Sequence, residues 1–90
     1  MSQWPTDEQA QYLYQAGFVG LSYCVFEKPS ARRGERLRVD ADHRGWRACR
    51  CVLARQPGST QRGVLWATGF EFHDPIAAFV FAEVANWGRA

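Results

Sequence analysis

The stretch that decides the fold is HDPIAAFVFAEVANWG, residues 73–88, which carries the signals of a helix with both ends marked. Asp74 suits the N-cap, because its carboxylate accepts hydrogen bonds from the first free N–H groups of a helix. Pro75 suits the first helical position, where its missing N–H costs nothing. Gly88 suits the left-handed residue that follows a helix end. The stretch therefore predicts the last helix of the chain.

The predicted last helix is too apolar to be covered by one layer of structure. Only Glu83 and Asn86 are polar in it, and its apolar arc is roughly twice the ~100° that a surface helix needs. We expect the N-terminal helix to dock against its small residues, with a homodimer contact or another partner as the alternative. The large side chains available to such a contact are Phe79, Phe81 and Trp87.

The rest of the chain predicts one more helix and four strands. Thr6 and Gln9 have the spacing of a capping box, and Gly17 ends the short helix that they begin. Alternating, β-branched and aromatic residues predict strands at 18–27, 35–41, 46–55 and 64–72. Short connections favour an antiparallel meander with both helices on one face. The predicted fold is α+β in the order α-β-β-β-β-α, a single small domain over residues 1–90.

The register of the second and third predicted strands decides where the charged side chains lie. A plain four-residue loop at residues 42–45 places Leu37 opposite Arg50, an apolar residue against a charge. A one-residue bulge places Leu37 opposite Cys51 instead, and a slip of one residue turns every side chain to the other face. We therefore predict the bulged register, with Gly45 in the left-handed position of the turn.

The bulged register predicts a basic patch on the outer face of the sheet. It brings Arg36, Arg38 and Arg50 together, with Trp46 at one end. Like charges on neighbouring strands are mildly destabilising, so an anion or a nearby carboxylate such as Asp40 must compensate them. The candidate binding residues are Arg36, Arg38, Arg50, Trp46, Arg47, Arg32 and Arg33.

The charge of the chain is concentrated in its middle third. The net charge is only +2, yet nine arginines lie between residues 31 and 62. Such clustering points to an anionic partner, either nucleic acid or an acidic protein surface. The alternative is that the arginines reflect a general preference for Arg over Lys and only solvate one face.

Composition and the N-terminus indicate a cytoplasmic, globular protein. No apolar run approaches the ~18 residues of a membrane span, and the polar N-terminus lacks the features of a secretory signal. Three cysteines without an export signal predict a reduced compartment. We expect no membrane association.

The sequence contains no recognisable catalytic or metal motif. Cys49 and Cys51 are two apart on a predicted strand, which is not the spacing of a zinc knuckle, and we interpret them as buried small hydrophobes. His73 beside Asp74 has the composition of an oriented base, but no nucleophile motif accompanies it, so capping and packing is the better interpretation. We predict no enzyme activity, catalytic residue, metal or cofactor.

These features together predict a non-catalytic module that binds a macromolecule through its arginines. We expect a protein or nucleoprotein partner with an acidic surface. The small size suits a regulator or inhibitor in the style of the anti-CRISPR and antitoxin proteins of mobile elements, although no motif supports that class. The alternative is direct binding of RNA or single-stranded nucleic acid, since Arg beside an exposed aromatic suits phosphate contact and base stacking. A small enzyme or metal protein is a weaker alternative.

Overall fold

The computed structural model describes residues 4–53 and 62–89. The end of the strand predicted at 46–55 and most of the segment between it and the next predicted strand fall outside these residues. The elements in chain order are α1 (Asp7–Gln15), β1 (Val19–Ser22), β2 (Val25–Pro29), β3 (Glu35–Asp42), β4 (Gly45–Leu53), β5 (Arg62–Ala67) and α2 (Pro75–Val84).

The α+β class is confirmed, but the sheet has five strands where the sequence predicts four. The five strands are antiparallel and lie in the order β1-β2-β3-β4-β5. The segment predicted as one strand at 18–27 is a hairpin that turns at Tyr23 and Cys24. The Cys24 N–H donates to the Ser22 hydroxyl at 3.4 Å. This short-range bond favours a turn over extended backbone, and composition alone did not reveal it.

The predicted starts of both helices are confirmed. Gln9 N–H donates to the Thr6 hydroxyl at 3.1 Å, while Thr6 N–H donates to Gln9 Oε1 at 2.9 Å, which completes the capping box. Ala77 N–H donates to Asp74 Oδ1 at 2.8 Å, and Pro75 occupies the start of α2. Each helix start therefore depends on side chains within three residues of it.

The end of α2 differs from the prediction, because Asn86 and not Gly88 takes the left-handed conformation, with φ of 60°. Asn86 N–H donates to the Glu83 carbonyl and Trp87 N–H donates to the Ala82 carbonyl, at 3.0 and 2.9 Å. This pair of bonds is a Schellman motif, in which Asn is the usual substitute for Gly. The helix therefore ends at Val84.

The predicted bulge between β3 and β4 is wrong. Leu37 lies opposite Arg50, and Asp42 pairs with Gly45 across a two-residue turn. Asp42 Oδ1 accepts the Arg44 N–H at 2.7 Å, which fixes the tight turn. Gly45 has φ of 138°, and a Cβ there would lie 2.8 Å from the Phe72 carbonyl oxygen. Glycine at position 45 is therefore required by packing against a segment more than twenty residues away.

One hydrophobic core lies between the sheet and the two helices. Its sheet residues alternate along the strands, so they share one face, here called the helix-bearing face. The buried residues of the core are Leu13, Phe18, Phe26, Leu37, Val39, Trp46, Ala48, Ala78, Phe79 and Ala82. The opposite face of the sheet is here called the outer face.

Candidate protein interface

Among the side chains that the structure describes, the outer face carries three arginines, although not the predicted three. Arg36 and Arg38 pair in register with Cys51 and Cys49, and Arg47 pairs with Asp40. Residues directly opposite each other in an antiparallel pair share a face. The outer arginine cluster, meaning Arg36, Arg38 and Arg47, therefore lies away from the helices.

Arg50 was predicted on the outer face and lies on the other one. It is opposite Leu37, which faces the core. Its guanidinium reaches past the core and donates to both carboxylate oxygens of Glu35, at 2.6 and 3.2 Å. The apolar part of an arginine side chain can pack against a core while its guanidinium extends beyond the core edge to a polar partner. The assumption that a charge cannot sit opposite Leu37 was therefore wrong.

Trp46 was predicted as an exposed aromatic on the arginine patch and is instead part of the core. Its side chain is 2% exposed. Its ring lies 6.3 Å from that of Phe26, and its backbone pairs with Phe72. A buried indole is unavailable for stacking on a nucleic-acid base or a partner's side chain.

The guanidinium groups of the outer arginine cluster are held by two buried carboxylates. Arg36 Nε donates to Glu27 Oε1 at 2.8 Å, and Glu27 is 0% exposed. Arg47 Nε donates to Asp40 Oδ1 at 2.8 Å, and Arg38 Nε lies 2.9 Å from Asp40 Oδ2. Asp40 therefore stands between two arginines and supplies the compensation that the pairing of like charges requires.

The two arginines that share Asp40 are held differently. The Arg38 contact is short but lacks the alignment of a hydrogen bond, since its buried Nε has no hydrogen-bond partner. It acts as a charge contact. For Arg47, burial opposes the charged form, but the hydrogen bond and charge of Asp40 outweigh it and raise its pKa. Arg47 therefore stays charged at every physiological pH.

Of the other candidate arginines, Arg32 is paired and Arg33 is not, and Arg44, which lies outside the candidate set, is paired as well. Arg44 donates to Asp42 Oδ2 at 2.7 Å, and this bond lowers the pKa of Asp42. Arg32 Nε lies 3.9 Å from Glu35. Arg33 is exposed and makes no ion pair within the part of the chain that the structure describes. Of the candidate arginines, only Arg33 therefore lacks an ion pair among the described residues.

Phe70 ties the end of the sheet to two of these arginines. The guanidinium carbons of Arg44 and Arg47 lie 4.4 and 4.5 Å from the centre of its ring. Each distance is well within the ~6 Å of a cation–π contact. The segment between β5 and α2 is therefore fastened to the β3–β4 hairpin.

The charge of the β3–β4 hairpin is thus largely compensated within the fold. Its five arginines face four carboxylates among the described residues: Glu27, Glu35, Asp40 and Asp42. A phosphate would have to displace the buried carboxylates of Glu27 and Asp40 to reach the outer arginine cluster. Breaking such a pair is costly, so the geometry does not favour an anion site on the outer face.

Cys49 and Cys51 lie on the outer face beneath the arginine cluster, and both are fully buried. Burial, reinforced by the Asp40 carboxylate, raises the pKa of Cys49 to about 11. Cys51 Sγ lies 3.6 Å from the Arg36 carbonyl oxygen. Thiols in this setting are inert, because the thiolate is the reactive species.

We expect thiol-specific reagents at neutral pH to modify Cys24 in the folded protein and Cys49 and Cys51 only after denaturation. Cys24 is partly exposed, whereas the other two are buried. Titration with a chromogenic disulfide, before and after adding guanidinium chloride, measures the difference. Cys24→Ser removes the native signal and serves as the control. Rapid reaction of more than one thiol in the native state would contradict the buried placement.

Neither histidine joins a cluster with catalytic or metal-binding geometry. His43 lies exposed in the β3–β4 turn, and His73 is exposed before α2. Within residues 4–53 and 62–89, no three His, Cys, Asp or Glu side chains are grouped as metal ligands.

A cleft of about 220 Å³ near the end of α2 is lined by residues that include Lys28, Phe79 and Glu83. Lys28 is already engaged there, over the Phe79 ring and on the Ala16 carbonyl.

The last helix leaves large apolar side chains uncovered. Phe79, a predicted interface residue, is instead packed in the core, with its ring 5.1 Å from Phe18. Phe81 is exposed and rests against Phe72 and the partly buried Trp87. The α2 ridge, meaning Ile76, Val80, Phe81 and Val84, points away from the sheet-facing residues Ala78, Phe79 and Ala82. Val84 is 78% exposed.

The edges of the sheet expose further apolar residues that the sequence analysis did not single out. Exposed large side chains at the two edges are Val19, Leu21 and Tyr23 near β1, and Val64, Leu65 and Trp66 on β5. Trp4 stacks on Tyr23 with ring centres 4.4 Å apart. The exposed apolar edge at β5 could have been predicted from the sequence. The last strand of a meander is an edge strand, and residues 63–70 carry no charge.

Comparisons with protein-family models, curated proteins and solved structures found no match. No helix among the described residues is long and apolar enough to cross a membrane.

Proposed function

We propose that this protein is a non-catalytic module that binds another protein through the α2 ridge, as a small regulator or inhibitor does. The observation that supports it is the exposure of Val80, Phe81 and Val84 on a helix whose only charged residue is Glu83. Contiguous exposed apolar surface is typical of protein-interaction sites. α1 covers another part of α2, through Tyr12 on Phe79, so the ridge remains open.

The spacing of the ridge defines the partner's surface. Ile76, Val80 and Val84 are four residues apart and form one row along the helix. Phe81 stands beside this row and is supported by neighbouring rings. Such a row fits an apolar groove, as in the binding of amphipathic helices by grooved proteins. The partner is therefore a protein with a hydrophobic groove, and the arginines contribute to the stability of the module.

The test is retention of partners from nuclease-treated lysate of the native host on immobilised protein. Val84→Lys places a charge on the ridge at a solvent-exposed position, so the fold is retained. Arg33→Gln removes an exposed guanidinium and serves as the matched control. We expect a defined protein to be retained by the wild type and by Arg33→Gln, and to be lost with Val84→Lys.

Two results would overturn the proposal. Equal retention by Val84→Lys would show that the ridge is not the contact. Retention that occurs only in lysate not treated with nuclease, and that is weaker there for Arg33→Gln, would instead favour a nucleic-acid ligand, whose affinity falls steeply with salt.

A further inference from the structure

The cleft near the end of α2 is formed where several parts of the fold meet. Its lining residues come from β2, β3, α2 and the segment after α2, and they include Lys28, Leu37, Phe79, Glu83, Gly88 and Arg89. Ala31 N–H donates to the Gly88 carbonyl at 2.9 Å, which joins the segment after α2 to the loop after β2. The volume of about 220 Å³ exceeds the about 150 Å³ in which an engineered protein cavity holds benzene. The cleft therefore has room for one aromatic ring and a small polar group.

Lys28 differs from the other partly buried cations of the described residues, because it has no carboxylate partner. A carboxylate oxygen lies within 3.9 Å of each partly buried arginine, namely Arg32, Arg36, Arg38, Arg47 and Arg50. Lys28 Nζ instead donates to the Ala16 carbonyl at 3.2 Å and lies 4.6 Å from the centre of the Phe79 ring. An ammonium group has three N–H donors, and a carbonyl oxygen and a ring face carry only partial negative charge. The full charge of Lys28 therefore has no counter-ion among the described residues.

The other charged residues that line the cleft are Glu83 and Arg89. Both are exposed, and neither forms an ion pair within the described part of the chain. Two cations against one carboxylate leave the cleft with one net positive charge. Its apolar wall is formed by Leu37 and Phe79. Positive charge beside an apolar wall suits a ligand that has both an anionic group and an apolar group.

We propose that this cleft binds a carboxylate that carries an aromatic group. The carboxylate is held by Lys28 and Arg89, and the aromatic group packs against Leu37 and Phe79. Two sources share this chemistry: a small aromatic acid, and the C-terminal residue of another protein. The α2 ridge and the lining of the cleft have no residue in common, so this inference does not rest on the proposed function.

The first test follows the amide chemical shifts of the protein while benzoate is added, with benzamide as the uncharged control. We expect saturable shifts from benzoate at the residues that line the cleft. Benzamide is expected to bind at least about tenfold more weakly, because it lacks the charge that strengthens hydrogen bonds from Lys28 and Arg89. A short peptide that ends in a phenylalanine carboxylate separates the two sources. Tighter binding of the peptide indicates a protein C-terminus, and tighter binding of benzoate indicates a free acid.

The second test changes the charges of the cleft in both directions. Arg89→Gln is expected to weaken benzoate binding by about tenfold, the loss of one charged hydrogen-bond donor. Arg33→Gln removes another exposed guanidinium outside the cleft and is expected to leave the affinity unchanged. Glu83→Gln removes the carboxylate that repels the ligand and is expected to strengthen binding.

The third test fills the cleft. A Cβ at position 88 would lie 3.8 Å from Leu37 Cδ2, which is ordinary van der Waals contact. Gly88→Leu therefore places a side chain beside the apolar wall without a clash at its Cβ, and it is expected to abolish binding. Equal binding of benzoate and benzamide, an affinity that Arg89→Gln leaves unchanged or that Arg33→Gln lowers equally, or the absence of saturable shifts from both carboxylates would each overturn the proposal.

Discussion

Trp46→Ala is expected to destabilise the protein by about 4 kcal/mol, the cost of removing a large aromatic side chain from a core. Trp46 is 2% exposed, lies near Phe26 and is held by backbone pairing to Phe72. A domain of this kind has about 5–15 kcal/mol of stability in all, so the variant retains little of it. Urea unfolding followed by far-UV circular dichroism measures the loss.

Trp66→Ala is the matched control, because it removes the same side chain from a position that is 64% exposed. Its expected change is within about 0.5 kcal/mol. If Trp46→Ala does not fold, Trp46→Phe gives a smaller loss that is still measurable. Equal losses of unfolding free energy in the two variants would refute the assignment of Trp46 to the core and would support the predicted surface position.

Glu27→Gln is expected to cost about 3 kcal/mol, near the lower end of the range for breaking a buried ion pair. Glutamine keeps the shape of the side chain and removes only its charge. Glu27 is fully buried against Arg36, whose side chain is 27% exposed. Partial solvation of the arginine is the reason for the smaller value. The free energy of unfolding from denaturant titration is the measurement.

The control for the charge itself is Glu83→Gln, which makes the same change at an exposed site on α2 and is expected to alter stability by less than about 0.5 kcal/mol. Adding Arg36→Met to Glu27→Gln removes the unpaired guanidinium and is expected to recover part of the loss. A loss below about 1 kcal/mol for Glu27→Gln alone would show that the carboxylate does not neutralise the cluster.

Features that depend on neighbours within a few residues were predictable from the sequence. The capping box at Thr6 and the cap and proline that begin α2 appear in the structure as predicted. Helix starts are satisfied by side chains three residues away. The α+β class followed because the periodicities of helices and strands differ.

Features that depend on distant contacts were missed. The β3–β4 register was assigned by matching apolar residues, but the structure accepts Arg50 opposite Leu37 because Glu35 holds its charge. Gly45 fits the tight turn because it packs against the carbonyl oxygens of Phe70 and Phe72. No local pattern contains that information.

The electrostatics of the candidate site were predicted only in part, because Asp40 was named as a compensating carboxylate and does contact Arg38 and Arg47. The partners of Arg36 and Arg50 were missed, because Glu27 and Glu35 lie on neighbouring strands. Glu27 reaches the arginine cluster because β2 lies beside β3, which places Glu27 opposite Arg38. The large apolar residues of α2 were recognised from the sequence. Which of them face the core depends on the rotation of the helix about its own axis against the sheet.

The position of Asp40 between Arg38 and Arg47 shows how a short chain can cover the second face of a sheet. Most sheets with two sides to cover use helices or a second sheet for each. On the outer face, which α1 and α2 do not reach, arginine side chains paired with carboxylates cover Cys49 and Cys51. The chain is thereby free to place both helices on one side. Its third layer is built from side chains alone, which lets a molecule only 23 Å thick bury residues on both sides of its sheet.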